Sequence, residues 1–142
     1  MKKILGLDLG TKTLGIAISD SLGIAAHGYE NFTFEFGNYK KARERVLEIV
    51  QKENIEEIAL GYPLHMSGEV SPRAESSKRF KEDLEKDNPN LEITLVDERL
   101  TTVIAHKRLM EADLSRNKRK EVIDMMSAVV ILETYMQTRK GY

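Results

Sequence analysis

Three acidic residues interrupt apolar stretches of this sequence, and acids in such places are candidates for chemistry. Asp8 lies within the segment ILGLDLG, Glu98 closely follows the apolar segment LEITLV, and Asp124 lies within VIDMMSAVVIL. A carboxylate in an apolar interior costs several kcal/mol unless a partner compensates it. The functional interpretation of these positions is that the acids serve as metal ligands or general bases.

The residue types available narrow the identity of a bound ion. The chain contains no cysteine, and its three histidines are scattered without the spacing of a metal site. Carboxylate oxygens favour Mg²⁺ or Mn²⁺ over zinc. Divalent ions held by carboxylates activate water and stabilise the leaving oxygen in phosphodiester hydrolysis. We therefore expect Asp8, Glu98 and Asp124 to form a metal site for that reaction.

Each acid in these stretches also has a structural interpretation. Asp8 could accept hydrogen bonds from the turn amides of residues 10–12. Asp124 shares a helical face with Glu121 and could lie on the solvent side of its helix. Asp97 should point to the opposite side of its strand from the acid that follows it. We interpret Asp97 as the cap of the next helix, because aspartate is a preferred N-cap residue.

The hydrophobic patterns predict an α/β fold, with residues 1–142 forming a single domain. Strands are predicted at residues 3–9, 13–20, 24–36, 55–61 and 91–96. Helices are predicted at residues 38–53, 72–88, 101–112 and 118–139. The first three strands should form an antiparallel meander, and the later alternation of helices and strands should form crossover units. We expect a mixed five-stranded sheet flanked by helices, with the first strand central and parallel to the fourth and fifth.

This topology would bring the candidate acids together at one edge of the sheet. Ligands of such sheets gather beyond the carboxyl ends of the parallel strands, where Asp8 and Glu98 would both lie. If the fourth strand separates the first from the fifth, the two ends are about 10 Å apart. Ser127 and Ala128 are small and follow Asp124 by three and four residues, so they would let the last helix approach the sheet closely.

Composition excludes several other classes of protein. The 142 residues include 22 Lys and Arg against 23 Asp and Glu, which gives a net charge of −1. The absence of cysteine excludes a disulfide scaffold and a catalytic thiol. No apolar run approaches the roughly 20 residues of a membrane-spanning helix, and the N-terminal apolar run is too short for a signal peptide. We expect a cytoplasmic protein with no membrane partner.

A basic segment at residues 99–120 contains seven Lys and Arg against two acids. Such a segment is typical of a nucleic-acid footprint, although a solvated helix face has the same composition. A glycine turn or a helix N-terminus near the acids would also favour an anion. The candidate phosphate contacts are Lys12, Arg73, Arg99, Lys118, Arg119 and Lys120. An alternative for Arg99 is that it neutralises a nearby acid.

Four segments, in order and at family-like spacing, resemble the YqgF family, also called the RuvX-like resolvases. The first is GLDLGTKTLGIA at residues 6–17, and the second is the central GYPL at 61–64, followed by PRA at 72–74. DERLTT at 97–102 is the most specific, and the last is the helical stretch that begins at Asp124 and contains SA and IL. The resemblance covers nearly the whole chain.

This resemblance implies a ribonuclease-H-like fold, a bacterial cytoplasmic location and nuclease activity with Asp8, Glu98 and Asp124 as catalytic acids. The preferred role is processing of the 5′ end of precursor 16S ribosomal RNA, and the alternative is resolution of Holliday junctions. The chain departs from the family pattern at four positions. Thr13 stands where an arginine is common, which would weaken a phosphate contact, and Ser127 replaces an alanine and adds a hydroxyl to the packing of the last helix. No role is transferred to His65 and Ser67, which differ from the pattern in the central loop.

Two rival functions remain open from the sequence. The segment DLGT at residues 8–11 also resembles the phosphate loop of actin-like ATPases, but those proteins need a second copy of the domain. A non-catalytic nucleic-acid-binding module would not need all three acids. The expected partner is RNA or branched DNA. A junction resolvase would act as a symmetric dimer, and the sequence is compatible with a monomer or a weak homodimer.

Overall fold

The computed structural model describes residues 2–99 and 116–139, with side chains described for 2–99 and 125–138. The elements in chain order are β1 (Ile4–Leu9), β2 (Thr13–Ser19), β3 (Ala26–Thr33), α1 (Tyr39–Glu53), β4 (Glu57–Tyr62), α2 (Pro72–Asp87), β5 (Glu92–Asp97) and α3 (Arg116–Arg139). The helix predicted at 101–112 lies outside the described residues. Within these ranges, no helix has the length and apolarity needed to cross a bilayer.

The five strands form one sheet in the order β3-β2-β1-β4-β5. β2 pairs antiparallel with both β1 and β3, whereas β1 and β4, and β4 and β5, are parallel. The predicted α/β fold, with a mixed sheet and a central first strand, is therefore confirmed. The carboxyl ends of β1, β4 and β5 lie together, and we call this side of the sheet the carboxyl edge.

The third strand is shorter than predicted. It spans Ala26–Thr33 rather than residues 24–36, because side-chain hydrogen bonds form a turn before it. The Asp20 carboxylate accepts hydrogen bonds from the backbone N–H groups of Ile24 and Ala25, at 2.9 and 3.1 Å. These amides are therefore unavailable for strand pairing, and the aromatic residues that follow the strand belong to a loop.

Helix starts follow the capping residues in the sequence. The Asn38 side chain accepts a hydrogen bond from the backbone N–H of Lys41 at the start of α1. The Ser71 side chain accepts one from Ala74 N–H, 3.0 Å away, and Pro72 takes the first position of α2. Such caps satisfy amides that have no partner inside the helix. They fix where α2 begins, directly after the loop that leaves the carboxyl edge.

Alternation along the strands divides the apolar residues between two faces of the sheet. One face packs against α1 and α2 through β-strand side chains that include Leu5, Leu7 and Leu9. The opposite face packs against α3 through Ile4 and other small or branched residues. Asp8 falls on the α3 face by alternation from Ile4, so its carboxylate faces a layer that is otherwise apolar.

Helix α3 packs very closely against the sheet at Gly6. A Cβ atom built on Gly6 would lie 2.7 Å from the carbonyl oxygen of Ala128 and 2.7 Å from Leu132 Cβ. Since Ser127 interacts with Asp8 further along β1, α3 runs antiparallel to that strand. The start of α3 therefore lies toward the carboxyl edge.

We expect Gly6→Ala to destabilise the protein, because the added methyl group would overlap the α3 backbone. Overpacking of this kind costs about 1–3 kcal/mol. Gly28→Ala is the matched control, since its Cβ would meet only Met125 Sδ at 3.5 Å, an ordinary contact. Urea unfolding of both variants measures the difference. Equal stability of the two variants would contradict the close packing of α3 on β1.

Candidate active site

Asp8 and Glu98 bring their carboxyl groups together at the carboxyl edge, on the α3 face. Asp8 is the penultimate residue of β1, and Glu98 comes directly after β5. The Glu98 backbone N–H donates to the carbonyl oxygen of Tyr62 at 3.2 Å, which continues the pairing of β5 with β4. The Asp8 side chain is 12% exposed and Glu98 is 6% exposed. Both acids are thus held by strand geometry in a site with little water.

Gly61 makes room for the Glu98 carboxyl group. A Cβ atom at Gly61 would lie 2.6 Å from Glu98 Cδ and 2.7 Å from Ile131 Cδ1. Any larger residue at this point of β4 would displace either the carboxyl group or α3. No role for Gly61 was predicted from the sequence. Its signal was a glycine at the end of an apolar strand, where glycine often marks a close approach.

Burial shifts both carboxyl groups toward the protonated form, whereas the hydrogen bond between them lowers the pKa of Asp8 and raises that of Glu98. Burial raises the pKa of Asp8 and is the largest cause of the rise in the pKa of Glu98 to about 9. The negative charge of Asp8 raises the pKa of Glu98 further, as does the hydrogen bond between the two side chains. The Arg73 guanidinium and the Ser127 hydroxyl act in the opposite direction on the pKa of Asp8. The proton shared by this pair is therefore held on Glu98.

Arg73 lies beside Asp8, as expected for a residue in the first turn of α2 near the acids. Its Nη2 donates to the carbonyl oxygen of Leu9 at 2.9 Å and lies 3.6 Å from Asp8 Oδ1. The Arg73 side chain is 52% exposed. One side of the guanidinium is thus anchored on β1, and the remainder faces solvent at the mouth of the site.

Arg99 is paired with Asp97, which supports the alternative interpretation of this arginine. Arg99 Nη2 lies 2.6 Å from Asp97 Oδ2, and the Arg99 backbone N–H donates to Asp97 Oδ1 at 3.0 Å. The hydrogen bond from Arg99 lowers the pKa of Asp97. Asp97 is exposed whereas Glu98 is buried, so the predicted alternation of the two acids is confirmed. The helix that Asp97 was expected to cap lies outside the described residues.

Of the other candidate residues, the structure describes the side chain of Lys12 and only the backbone of those in α3. Lys12 is exposed in the turn after β1, where the backbone N–H of Gly10 donates to the carbonyl oxygen of Thr13. Asp124 lies in α3 one turn before Ser127, on the part of the helix nearer the carboxyl edge, and its side chain is outside the description. The side chains of Lys118, Arg119 and Lys120 are also outside it, although their backbone forms the start of α3.

The acids present fit a divalent cation that prefers oxygen ligands. Asp8 Oδ1 is buried and accepts no hydrogen bond from the described residues, and both carboxyl groups have a raised pKa that a nearby cation would lower. Among the side chains described, no group of three or more acids or histidines is close enough to hold a metal ion. Asp8 and Glu98 form a pair, and the position of Asp124 in α3 makes it the candidate for the third ligand.

Solved structures with the same architecture are resolvases of the ribonuclease-H-like fold. A Thermus thermophilus RuvC in complex with a Holliday junction substrate is 14% identical with a TM-score of 0.63, and the match covers 99% of this chain and 97% of that one. The fowlpox virus Holliday junction resolvase is 16% identical with a TM-score of 0.61, covering 96% of this chain and 99% of its own. At this identity the likeness establishes the fold.

Sequence comparison then identifies the family. The RuvX family, described as Holliday junction resolvase, matches residues 2–138, and this chain belongs to it. Relatives from Geobacillus sp. (strain WCH70) and Bacillus subtilis (strain 168) are each 46% identical to it. The matches cover 97% and 96% of this chain and 99% and 98% of the relatives. Both relatives carry the name "Putative pre-16S rRNA nuclease". The family resemblance seen in the sequence motifs is thus confirmed.

We expect the metal-free protein to lose stability as the pH rises from about 5 to about 8. The folded state retains a proton on Glu98, whose pKa is about 9, whereas the unfolded chain releases it near the ordinary value of 4.5. The unfolded state then binds fewer protons, so stability falls with rising pH across this window. Melting temperatures measured in chelator test this, and Glu98→Gln should flatten the dependence. A metal-free melting temperature that rises over the same range would contradict the raised pKa.

Proposed function

We propose that this protein is a metal-dependent nuclease that hydrolyses phosphodiester bonds, with Asp8, Glu98 and Asp124 as its catalytic acids and metal ligands. The observation that carries the proposal is the buried Asp8 and Glu98 pair at the carboxyl edge, whose pKa values stay raised although the Arg73 guanidinium lies beside them. Functional sites often contain acids perturbed by burial together with a specific charge partner. The family and its relatives support the same class of reaction.

The described side chains have separable tasks in this reaction. Bound Mg²⁺ or Mn²⁺ would activate the attacking water and offset negative charge on the phosphate. Asp8 offers a buried oxygen that accepts no hydrogen bond within the described part of the chain. Glu98 releases its proton when positive charge enters the site, since its pKa is raised partly by the neighbouring carboxylate. The exposed side of Arg73 is positioned to contact a phosphate oxygen at the mouth.

Processing of the 5′ end of precursor 16S ribosomal RNA is the role we propose for this activity. The support is the name of relatives that are 46% identical over nearly the full chain. Because that RNA is made and processed in the bacterial cytoplasm, we propose a cytoplasmic location. Lys12, Arg99 and the basic residues at the start of α3 would hold the strand by its phosphates.

Resolution of Holliday junctions is the second candidate. It is favoured by the description of the family and by the fold shared with solved resolvases. Paired cuts in a four-way junction require two active sites related by symmetry. Cleavage of precursor RNA by a monomer supports the first role, whereas cleavage of four-way DNA by a dimer supports the second. Comparing the two substrates, with the solution mass measured in parallel, separates these roles.

Asp8→Asn, Glu98→Gln and Asp124→Asn should each reduce cleavage by two orders of magnitude or more, while leaving the fold intact. The amides keep the shape of the side chains but lose the charge that holds the metal ion. The metal-free variants at Asp8 and Glu98 should also melt at a higher temperature near neutral pH, because one of two repelling carboxyl groups is gone. Cleavage rates with Mg²⁺ or Mn²⁺ and melting curves in chelator provide the two measurements.

Asp97→Asn is the matched control for these variants. It removes a carboxylate adjacent to Glu98, but this one is exposed and paired with Arg99. The asparagine oxygen can still accept the hydrogen bond from the Arg99 backbone N–H, so cleavage should remain near the wild-type rate. Normal cleavage by all three variants at Asp8, Glu98 and Asp124 would refute the nuclease site.

A further inference from the structure

The loop at residues 34–38, which joins β3 to α1, is fixed to the turn that follows β1. The Phe34 backbone N–H donates to the carbonyl oxygen of Lys12 at 2.8 Å, and the Gly37 N–H donates to that of Thr11 at 3.0 Å. Within the loop, Asn38 N–H donates to the carbonyl oxygen of Glu35 at 2.8 Å. Gly37 has a φ of 75°, a backbone conformation that glycine adopts readily, and this conformation closes the loop. The loop is thus held at the carboxyl edge.

Phe36, at the centre of this loop, differs from the aromatic residues around it. Phe34 packs against Phe32 and Tyr39, with ring centroids 6.2 and 6.0 Å apart, and joins the core beneath α1. Phe36 is 73% exposed. It lies between Phe34 and Gly37, whose backbone N–H groups are both fixed by hydrogen bonds. The fold therefore presents an apolar ring to solvent on a braced backbone.

The turn that braces Phe36 also connects it to the candidate active site. Thr11, which accepts the hydrogen bond from Gly37, follows Asp8 by only three residues. Because a chain spans at most about 3.6 Å per residue, Thr11 lies within about 11 Å of Asp8. The loop that carries Phe36 is therefore attached to a turn that begins beside the acids.

Charge around Phe36 suits the backbone of a nucleic acid. Lys12 is exposed and makes no ion pair with the residues that the structure describes. Arg73 contacts the end of β1 that leads into the same turn, and part of its guanidinium faces solvent. Glu35 is the only acid within the loop. An exposed aromatic ring on a loop fixed to a turn that carries an exposed lysine is a combination with which proteins hold a base and a neighbouring phosphate.

We propose that Phe36 stacks on an unpaired base of the strand that is cut, while Lys12 contacts an adjacent phosphate. This inference rests on the proposed nuclease function and adds a substrate class to it. The faces of a base inside a continuous duplex are covered by its neighbours, so only a single-stranded or splayed nucleotide can stack on the ring. The preferred substrate is thus unpaired next to the cleavage site.

The absence of tryptophan from the chain provides a direct test. Phe36→Trp introduces a single indole, whose fluorescence should be quenched by an unstructured oligonucleotide of about 12 nucleotides. A blunt duplex of the same sequence should not quench it. The measurement is made in chelator, so that cleavage does not occur, with RNA and DNA versions of the oligonucleotide. Quenching by either single strand supports stacking.

Affinity measurements separate stacking from simple apolar contact. Phe36→Leu and Phe36→Ala should weaken binding of the single strand by about 5- to 150-fold, because stacking on an aromatic ring contributes that much per base. Their salt dependence should stay unchanged, whereas Lys12→Gln should lower the log–log salt slope by about 0.7. Ile24→Ala is the control, since Ile24 is 70% exposed at the opposite edge of the sheet and should have no effect.

Two results would overturn the inference. One is binding of the single strand by Phe36→Leu within twofold of the wild type. The other is equal quenching of Phe36→Trp by the single strand and the duplex. Both measurements are independent of catalysis. If the wild type cleaves no nucleic acid with Mg²⁺ or Mn²⁺, the proposed function is wrong. The binding and fluorescence measurements still test the stacking of a base on Phe36 independently.

Discussion

The burial of two neighbouring carboxyl groups, those of Asp8 and Glu98, is the constraint on which the site depends. Strand pairing holds each acid in place, and α3 covers them with a layer that is otherwise apolar. Without a cation the pair retains a proton, and the buried carboxyl groups lower the stability of the fold near neutral pH. Gly6 and Gly61 make this arrangement sterically possible, because one lets α3 approach the sheet and the other leaves space for the Glu98 carboxyl group. The same residues therefore determine both how closely α3 packs on the sheet and where the two carboxyl groups lie.

The arrangement of the strands and the position of the two acids could be predicted from local patterns. Alternating and continuous apolar runs identified the five strands, and parallel crossovers placed the ends of β1 and β5 on either side of β4. An acid in an apolar run was a sufficient signal for both Asp8 and Glu98. Contacts between distant segments were not predictable in this way. The space for Glu98 over Gly61 depends on the β4–β5 register, and the shortened β3 depends on side-chain hydrogen bonds from Asp20.

The cationic side chains near the acids fall into two groups, one already paired with an exposed acid and one that faces solvent. Arg99 is already neutralised by Asp97, so the positive charge it offers to a phosphate is reduced. Lys12 lies on the turn after β1 and Arg73 at the start of α2, and both are exposed to solvent. Phe36 lies on the loop that is fixed to the turn carrying Lys12, and Arg73 contacts the end of β1 that leads into that turn.

Calorimetric titration with Mn²⁺ at pH 7.5, in buffers of different ionisation enthalpy, tests the central claim most directly. The difference between buffers gives the number of protons released when the metal ion binds. Since the pKa of Glu98 is raised to about 9 and a ligating carboxylate must be deprotonated, the wild type should release about one proton per ion bound. Glu98→Gln should bind more weakly and release almost none. Tight binding without proton release in the wild type would show that the metal ion does not enter between these two acids.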